Sequence, residues 1–332
     1  MIQLFALISK RTYMKAITWG NYLIAAFLLF LLYGTPIARA DSYDLYVNAS
    51  ASSDGEDGSV SHPFTTIGKG IARAMQNNKS NRRIYAANGT YNEHITLGES
   101  VILTGESKDS TIIEGNDVQD VVVMNDGSEI GTLTISNARK GVIVSKNSKV
   151  MVRDCKIRDM SDVGVEISAS SKKGKKASIV NSEIWSGEKG VYALEGANLE
   201  ISGNDIYGNK QEGIDIRPRV KGNVSGNNIH DNGESGIELI VGKSSVKIKN
   251  NNLHGNGASG IALQYYKQYS SKGAISLTNN KVKSNDNYAI ACKIVWGNLS
   301  GKGDYFKDSA KVSQNSVDGD KKVDPLCRFS KI

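Results

Sequence analysis

Glu166, Tyr192, Asp215, Glu238 and Ala262 stand at intervals of 26, 23, 23 and 24 residues, each two places after a glycine. Two places further on come Ser168, Leu194, Arg217, Ile240 and Gln264, followed by Lys293 in the next copy. If each copy is one rung of a stack, these residues form two adjoining columns that mix carboxylates, a guanidinium, an ammonium and a phenol. Such a surface suits an acidic polysaccharide, because cations pair with its carboxylates and an aromatic ring covers a sugar face. A base beside a neutralised sugar carboxylate can take the neighbouring proton, which begins β-elimination or epimerisation. Arg217, Asp215 and Glu238 are therefore the candidate catalytic residues, with Arg217 or Tyr192 the first choices for the base. Glu166, Tyr192, Gln264 and Lys293 are candidate substrate contacts. Cofactor identity stays open; Ca²⁺ is the candidate ion, since Asp215 and Glu238 have the chemistry to share one. The competing description is a solvated Asp215–Arg217 pair with no ligand.

The elements that must position these columns follow from the period. Glycines 141, 164, 190, 213, 236 and 260, with Ala289 in the same place, are separated by 23, 26, 23, 23, 24 and 29 residues. Nine residues before most of them stands an asparagine, at 204, 227, 251 and 280, with Cys155 and Ser182 at related places. A period in the twenties is too short for a helix pair and marks a solenoid with one coil per repeat. After each glycine the chain alternates, as in Ile214-Asp215-Ile216 and Ile237-Glu238-Leu239, so that segment is a strand with its apolar residues inward. A second strand precedes the asparagine and a third apolar position follows it. Three short strands per coil predict an all-β, single-stranded right-handed parallel β-helix. The asparagines, and a second series at 209, 232, 256 and 285, are expected to stack about 4.8 Å apart as amide ladders and to tolerate left-handed turns. The glycines are expected to serve the turn before the next strand.

The period breaks at Ser170–Lys176 (SSKKGKK) and Tyr265–Lys272 (YYKQYSSK), both in the segment between the glycine strand and the next asparagine. Insertions at one corner of a rigid stack commonly line a binding surface. Four coils separate them, about 19 Å. Tyr265, Tyr266 and Tyr269 are read as loop aromatics available for sugar contact, while the lysines of the first insertion form a solvated loop or help capture an anionic polymer. His230 and His254 stack in successive coils but lack a third ligand for zinc. The loop Asp54-Gly55-Glu56-Asp57-Gly58 is acidic but lacks EF-hand spacing.

Composition bounds the function. The chain has 332 residues, 34 glycines and 4 prolines, ample for a sizeable core. Lys10, Arg11 and Lys15 precede an apolar run from Tyr22 to Tyr33, and Ala38-Arg39-Ala40 has the small-x-small pattern of a cleavage site, so residues 1–40 read as a signal peptide. The competing reading is an uncleaved anchor over residues 16–34. The expected location is secreted or periplasmic, with no membrane attachment after cleavage. The first 40 residues hold four bases and no acid; 37 bases against 34 acids remain, a net charge of +3. That charge, and the lack of a nucleic-acid-reading motif, argue against nucleic acid as a partner. Of three cysteines, Cys292 and Cys327 are the expected disulfide and Cys155 a buried small apolar residue. Oligomeric state is not legible.

The N-terminal stretches YDLYV (43–47), DGSVSHPFTTIGKGIARA (57–74), NGTYNEHITL (88–97) and VILTGES (101–107) resemble the opening of secreted β-helix proteins of the pectate-lyase-like superfamily. The resemblance covers nearly all of residues 43–300 and implies an extended first strand, a P-F-x-T-I capping helix and a G-x-Y-x-E first coil. Gly70 stands where that helix usually has alanine, which would weaken it. The implied organisation is a cap with the first coils over 41–125, regular coils over 126–296 and a C-terminal cap over 297–332. The resemblance implies a polysaccharide lyase or epimerase, or a non-catalytic carbohydrate-binding or structural solenoid. The chain lacks the Asp-Pro-His-Asp of mannuronan epimerases and the Gly-His-Gly of polygalacturonases. Gly242-Lys243-Ser244-Ser245 is similar to one alginate lyase motif whose Arg-His-Gly partner is missing, and Arg217-Pro218-Arg219 is only faintly similar to the R-x-P-x-x-R of pectate lyases.

Overall fold

The structure is a computed structural model that describes residues 43–76, 82–317 and 322–329. The segment read as a signal peptide or anchor lies outside the described residues. Among those described, no helix is long and apolar enough to cross a membrane.

The chain winds through three parallel sheets in turn. One coil runs through Ala177–Val180 in the first sheet, Glu183–Trp185 in the second and Lys189–Ala193 in the third. The sheets contain 11, 10 and 9 strands, and each strand bonds the equivalent strands of the neighbouring coils. In the third sheet the register aligns Val191 with Ile214, Ile237, Ile261 and Ile290, all fully buried. Each such side chain contributes about 1.5–3 kcal/mol of burial free energy, so every coil adds a layer to one continuous core. The parallel solenoid expected from the period is the observed fold.

Both amide ladders form. Asn227 donates from its backbone N and from Nδ2 to Asn251 Oδ1 at 3.0 and 2.9 Å, while the same Nδ2 reaches Ile201 O at 3.0 Å. Asn204, Asn251 and Asn280 repeat the pattern, and Asn315 carries it one coil beyond the last legible repeat. The ladder residues themselves are not left-handed, contrary to expectation. The residue before each is: Gly203, Gly226, Asn250, Asn279 and Gln314 have φ of 68°, 66°, 57°, 56° and 59°. The strand glycines also serve a different purpose from the one expected. Gly164 and Gly190 lack positive φ, but a Cβ on either would sit 2.6 Å from the carbonyl oxygen of the next coil's glycine. These positions need space, because neighbouring backbones approach closely.

The helix Ile67–Gln76 (α1) buries Ile67, Gly70, Ile71 and Ala74. Its first amides are capped from a distance: Ile67 N and Gly68 N donate to the two oxygens of Glu93 at 2.7 and 2.8 Å. The glutamate of the G-x-Y-x-E stretch thus satisfies the open end of the helix. Gly70 proves to be a packing residue, since a Cβ there would meet Val47 Cγ1 at 2.9 Å. At the other end Cys292 and Cys327 are joined, tying the third sheet to the short helical turn Pro325–Cys327. Cys155 is a free, fully buried thiol that burial pushes up to about 12, which makes it inert as a nucleophile.

Candidate functional site

The third sheet presents Glu166, Tyr192, Asp215, Glu238 and Ala262 in successive coils, as their register partners show. Their environments differ sharply. Glu166 accepts from Lys140 Nζ at 2.5 Å. Tyr192 lies between two cations, with Lys189 Nζ 5.8 Å and Arg217 Cζ 6.0 Å from its ring centroid. Asp215 is 1% exposed, and its Oδ2 is 3.0 Å from Lys189 Nζ and 3.7 Å from Arg217 Nη1. Its other oxygen, Oδ1, has no hydrogen-bond partner in the protein. Lys189 also donates to Glu212, so one ammonium holds two buried carboxylates.

This concentration of acid on a poorly hydrated face has an electrostatic result. Burial first, and then the charges of Glu212 and Asp215, push the Glu238 carboxyl up to about 7, against the opposing pull of Lys189 and Lys293. Asp215 is also held above the ordinary carboxylate value, by burial more than Lys189 and Arg217 can offset. Burial raises the Tyr192 phenol despite its two cations. Glu234 is raised by desolvation and by its hydrogen bond with Glu212.

Asp215, one of the two carboxylates considered for Ca²⁺ from the sequence, is paired with a lysine. The Lys189 ammonium bridges it to Glu212. Among the described residues no group of three His, Cys, Asp or Glu side chains converges on a metal position. In the 54–58 loop, Glu56 is engaged by Lys69 and the Thr65 amide, and Asp57 accepts from Ser59 N at 2.8 Å. His230 and His254 stack face to face at 4.9 Å within a row that includes Trp185 and Tyr207, an arrangement that aims no nitrogens at a shared point.

The tyrosines of the second insertion do not stand out into solvent. Tyr265, expected as an exposed aromatic, is 2% exposed and packs edge-on against Tyr305 at 4.8 Å, so it is unavailable to a sugar. Its place follows the parity of Ile261 and Leu263, which continues through the strand Ile261–Tyr266. Tyr269 folds back so that its hydroxyl donates to Glu195 Oε2 at 3.0 Å, 74 residues earlier. Through this bond the second insertion reaches back across three coils. Gln264 is 3% exposed, with Oε1 unpartnered; Tyr266 is half-buried and Lys293 exposed. Three features escaped the sequence reading. Lys189 and Glu212 stand one place before the aligned glycines, a column whose opposite charges in consecutive coils were a usable signal. Trp296, 68% exposed, pairs in register with Tyr266 at the end of the long strand Ile290–Trp296.

This coil geometry and its carboxylates define a parallel β-helix with an ionisable face on the third sheet. The family model described as a right handed beta helix region matches residues 171–324. Among solved structures, the chain is similar to an alginate lyase from Paenibacillus sp. str. FPU-7, with 18% identity, TM-score 0.59, and 76% of this chain and 94% of that one covered. It is similar to pectate lyase Pel9A, with 14% identity, TM-score 0.59, and coverage of 87% and 80%. The A-module of the mannuronan C-5 epimerase AlgE6 of Azotobacter vinelandii aligns with 17% identity, TM-score 0.54, and coverage of 85% and 88%. No curated protein sequence matches the chain. At these identities the likeness establishes the fold alone: the chain is a right-handed parallel β-helix.

Proposed function

We propose that the outward face of the third sheet binds a uronic-acid polysaccharide and removes the proton beside its carboxylate, the step shared by β-elimination and epimerisation. The observation that carries this reading is Glu238, whose carboxyl at about 7 is divided between acid and base near neutral pH. Glu238 takes the base role for which Arg217 and Tyr192 were the sequence candidates, since burial moves the Tyr192 phenol further from neutrality. Arg217 and exposed Lys293 neutralise the sugar carboxylate, into which the negative charge left behind by the departing proton spreads. Asp215, held by Lys189, positions Arg217. Tyr192 and Tyr266 offer ring surface, Gln264 is too buried to meet a sugar, and Glu166 with Lys140 closes one end of the face.

The names of the similar structures, two lyases and an epimerase of acidic polysaccharides, support the substrate class. The leader-like first 40 residues support action outside the cytoplasm, in a secreted or periplasmic setting. Incubation with alginate, pectate and glycosaminoglycans, with detection of unsaturated ends and of epimerised residues by proton NMR, tests the reading. Unchanged polymers throughout would overturn it. A second reading, retention without turnover, is favoured by the pairing of Glu166 and Asp215 with lysines of their own. It predicts bound polymer and no product.

A further inference from the structure

A cavity of about 820 Å³ lies around the corner from that face, at the turn between the third and first sheets. Its charged lining is entirely basic: Lys146, Lys172, Lys173, Arg219, Lys221 and Lys243. Arg219 is paired with Glu195, but among the described residues none of the five lysines has a carboxylate partner. This departs from the neighbouring surface, where Lys175 pairs with Asp126, Lys176 with Glu200 and Lys140 with Glu166. Like charges gathered in a concave site raise each other's energy and the local concentration of anions.

The wall of this cavity is built rather than loose. Ser170 Oγ donates to Lys175 O at 3.0 Å and Asn198 Nδ2 to the same carbonyl at 2.9 Å. Ser171 N donates to Asn147 Oδ1 at 2.8 Å. The lysines of the first insertion are thereby carried on a loop braced from the coils on both sides. Along the solenoid axis the cations extend from the coil of Lys146 to that of Lys243, four coils on, or about 19 Å. A single small anion would span only part of that row.

We propose that this corner is a docking cleft for a linear anionic polysaccharide, separate from the Glu238 face and able to hold the polymer without reacting with it. A sugar polymer fits better than nucleic acid because the lining offers no aromatic ring for a base, while Ser170, Ser171 and Asn198 supply polar groups for hydroxyls. The polymer class is shared with the reading above, but the site rests on its own residues. The basic insertion, ambiguous in sequence between solvated loop and capture device, is assigned to capture.

The test compares the full-length mature protein with two variants of equal net charge. One replaces Lys146, Lys172, Lys173 and Lys243 by Gln; the other replaces Lys247, Lys249, Lys281 and Lys283 on the other two sheets. Seven of these eight lysines are exposed and Lys283 is half-buried, so folding is retained and is checked by circular dichroism. Affinity electrophoresis in alginate, polygalacturonate, heparin, neutral dextran and duplex DNA reads the binding. The corner variant should lose about tenfold in affinity for the anionic sugars, and the control less than about twofold, with the gap closing as salt rises. Unaltered binding by the corner variant, equal loss in the control, failure of the native protein to bind any anionic sugar, or tighter binding to DNA than to every sugar would each overturn the proposal. Because binding is read rather than turnover, an absence of product would sink the Glu238 reading and leave this one standing.

Discussion

The Lys189 ammonium lies 3.0 Å from Asp215 Oδ2 and also bonds Glu212, so a cation on one coil serves two buried carboxylates on the next. Replacing Lys189 by Met would leave those carboxylates facing each other with only the Arg217 guanidinium, 3.7 Å from Asp215 Oδ2, to compensate them. The expected cost is about 2–4 kcal/mol near pH 8, since breaking a buried pair strands its partners. Asp215 already stands above its ordinary value, so its folded-state stabilisation is present at low pH and lost as pH rises. The deficit should accordingly shrink near pH 5. Urea denaturation at the two pH values checks this, and an equal deficit at both would count against the network.

Glu238 makes a prediction of its own. Its carboxyl is raised from 4.5 to about 7 in the fold, so the protonated form is preferred there. The stability this contributes is complete below 4.5 and disappears as pH climbs through 7. Glu238→Gln, which cannot ionise, should match the native protein at low pH and exceed it by about 1–3 kcal/mol above pH 8. Parallel stability curves for the two proteins would refute the buried charge.

The amide ladder should be cooperative in its damage. Asn251→Ala removes the acceptor of both the Asn227 backbone N–H and its Nδ2, and leaves Asn280 Oδ1 with only the backbone N–H of residue 251 as donor. Buried donors stranded in this way cost about 2–4 kcal/mol. Asn315→Ala, at the end of the ladder and partly exposed, should cost roughly half as much. Thermal denaturation of the two variants distinguishes a stacked ladder from independent turns.

Two kinds of glycine are separable by the same substitution. Gly190→Ala drives a methyl to 2.6 Å from Gly213 O, an overpacking worth about 2–4 kcal/mol. Gly208 has φ of 61° with open space where its Cβ would be, so its alanine variant should lose only about 1 kcal/mol to backbone strain. Equal losses would mean that the coils do not approach as closely as described.

These contrasts mark what the sequence made legible. The period, the inward alternation and the ladder positions were readable because a solenoid copies the same physical requirement into every coil. The mechanism behind a copied residue was less readable: a glycine needed for space and one needed for φ look identical, as Gly190 and Gly208 show. The register of the third-sheet column was legible, but not the environments of its residues. Lys189 escaped notice because it lies before the glycine, and its partner Glu212 is recognised only when consecutive coils are set side by side. Tyr265 was misjudged because an irregular loop was assumed where the strand parity of Ile261 and Leu263 in fact continues. The fold-back of Tyr269 onto Glu195 joins residues 74 apart, beyond the reach of any periodic argument.

The most direct measurement of the central claim follows the hydrogen on the sugar carbon that bears the carboxylate. Uronic-acid polymer incubated with the protein in deuterated buffer should exchange that hydrogen for deuterium, or lose it to form an unsaturated end, as read by proton NMR. The rate should rise as Glu238 deprotonates through about pH 7 and fall by about two to four orders of magnitude in Glu238→Gln. No exchange and no unsaturation with any uronic-acid polymer, or an undiminished rate in the Gln variant, would contradict the assignment of Glu238 as the base.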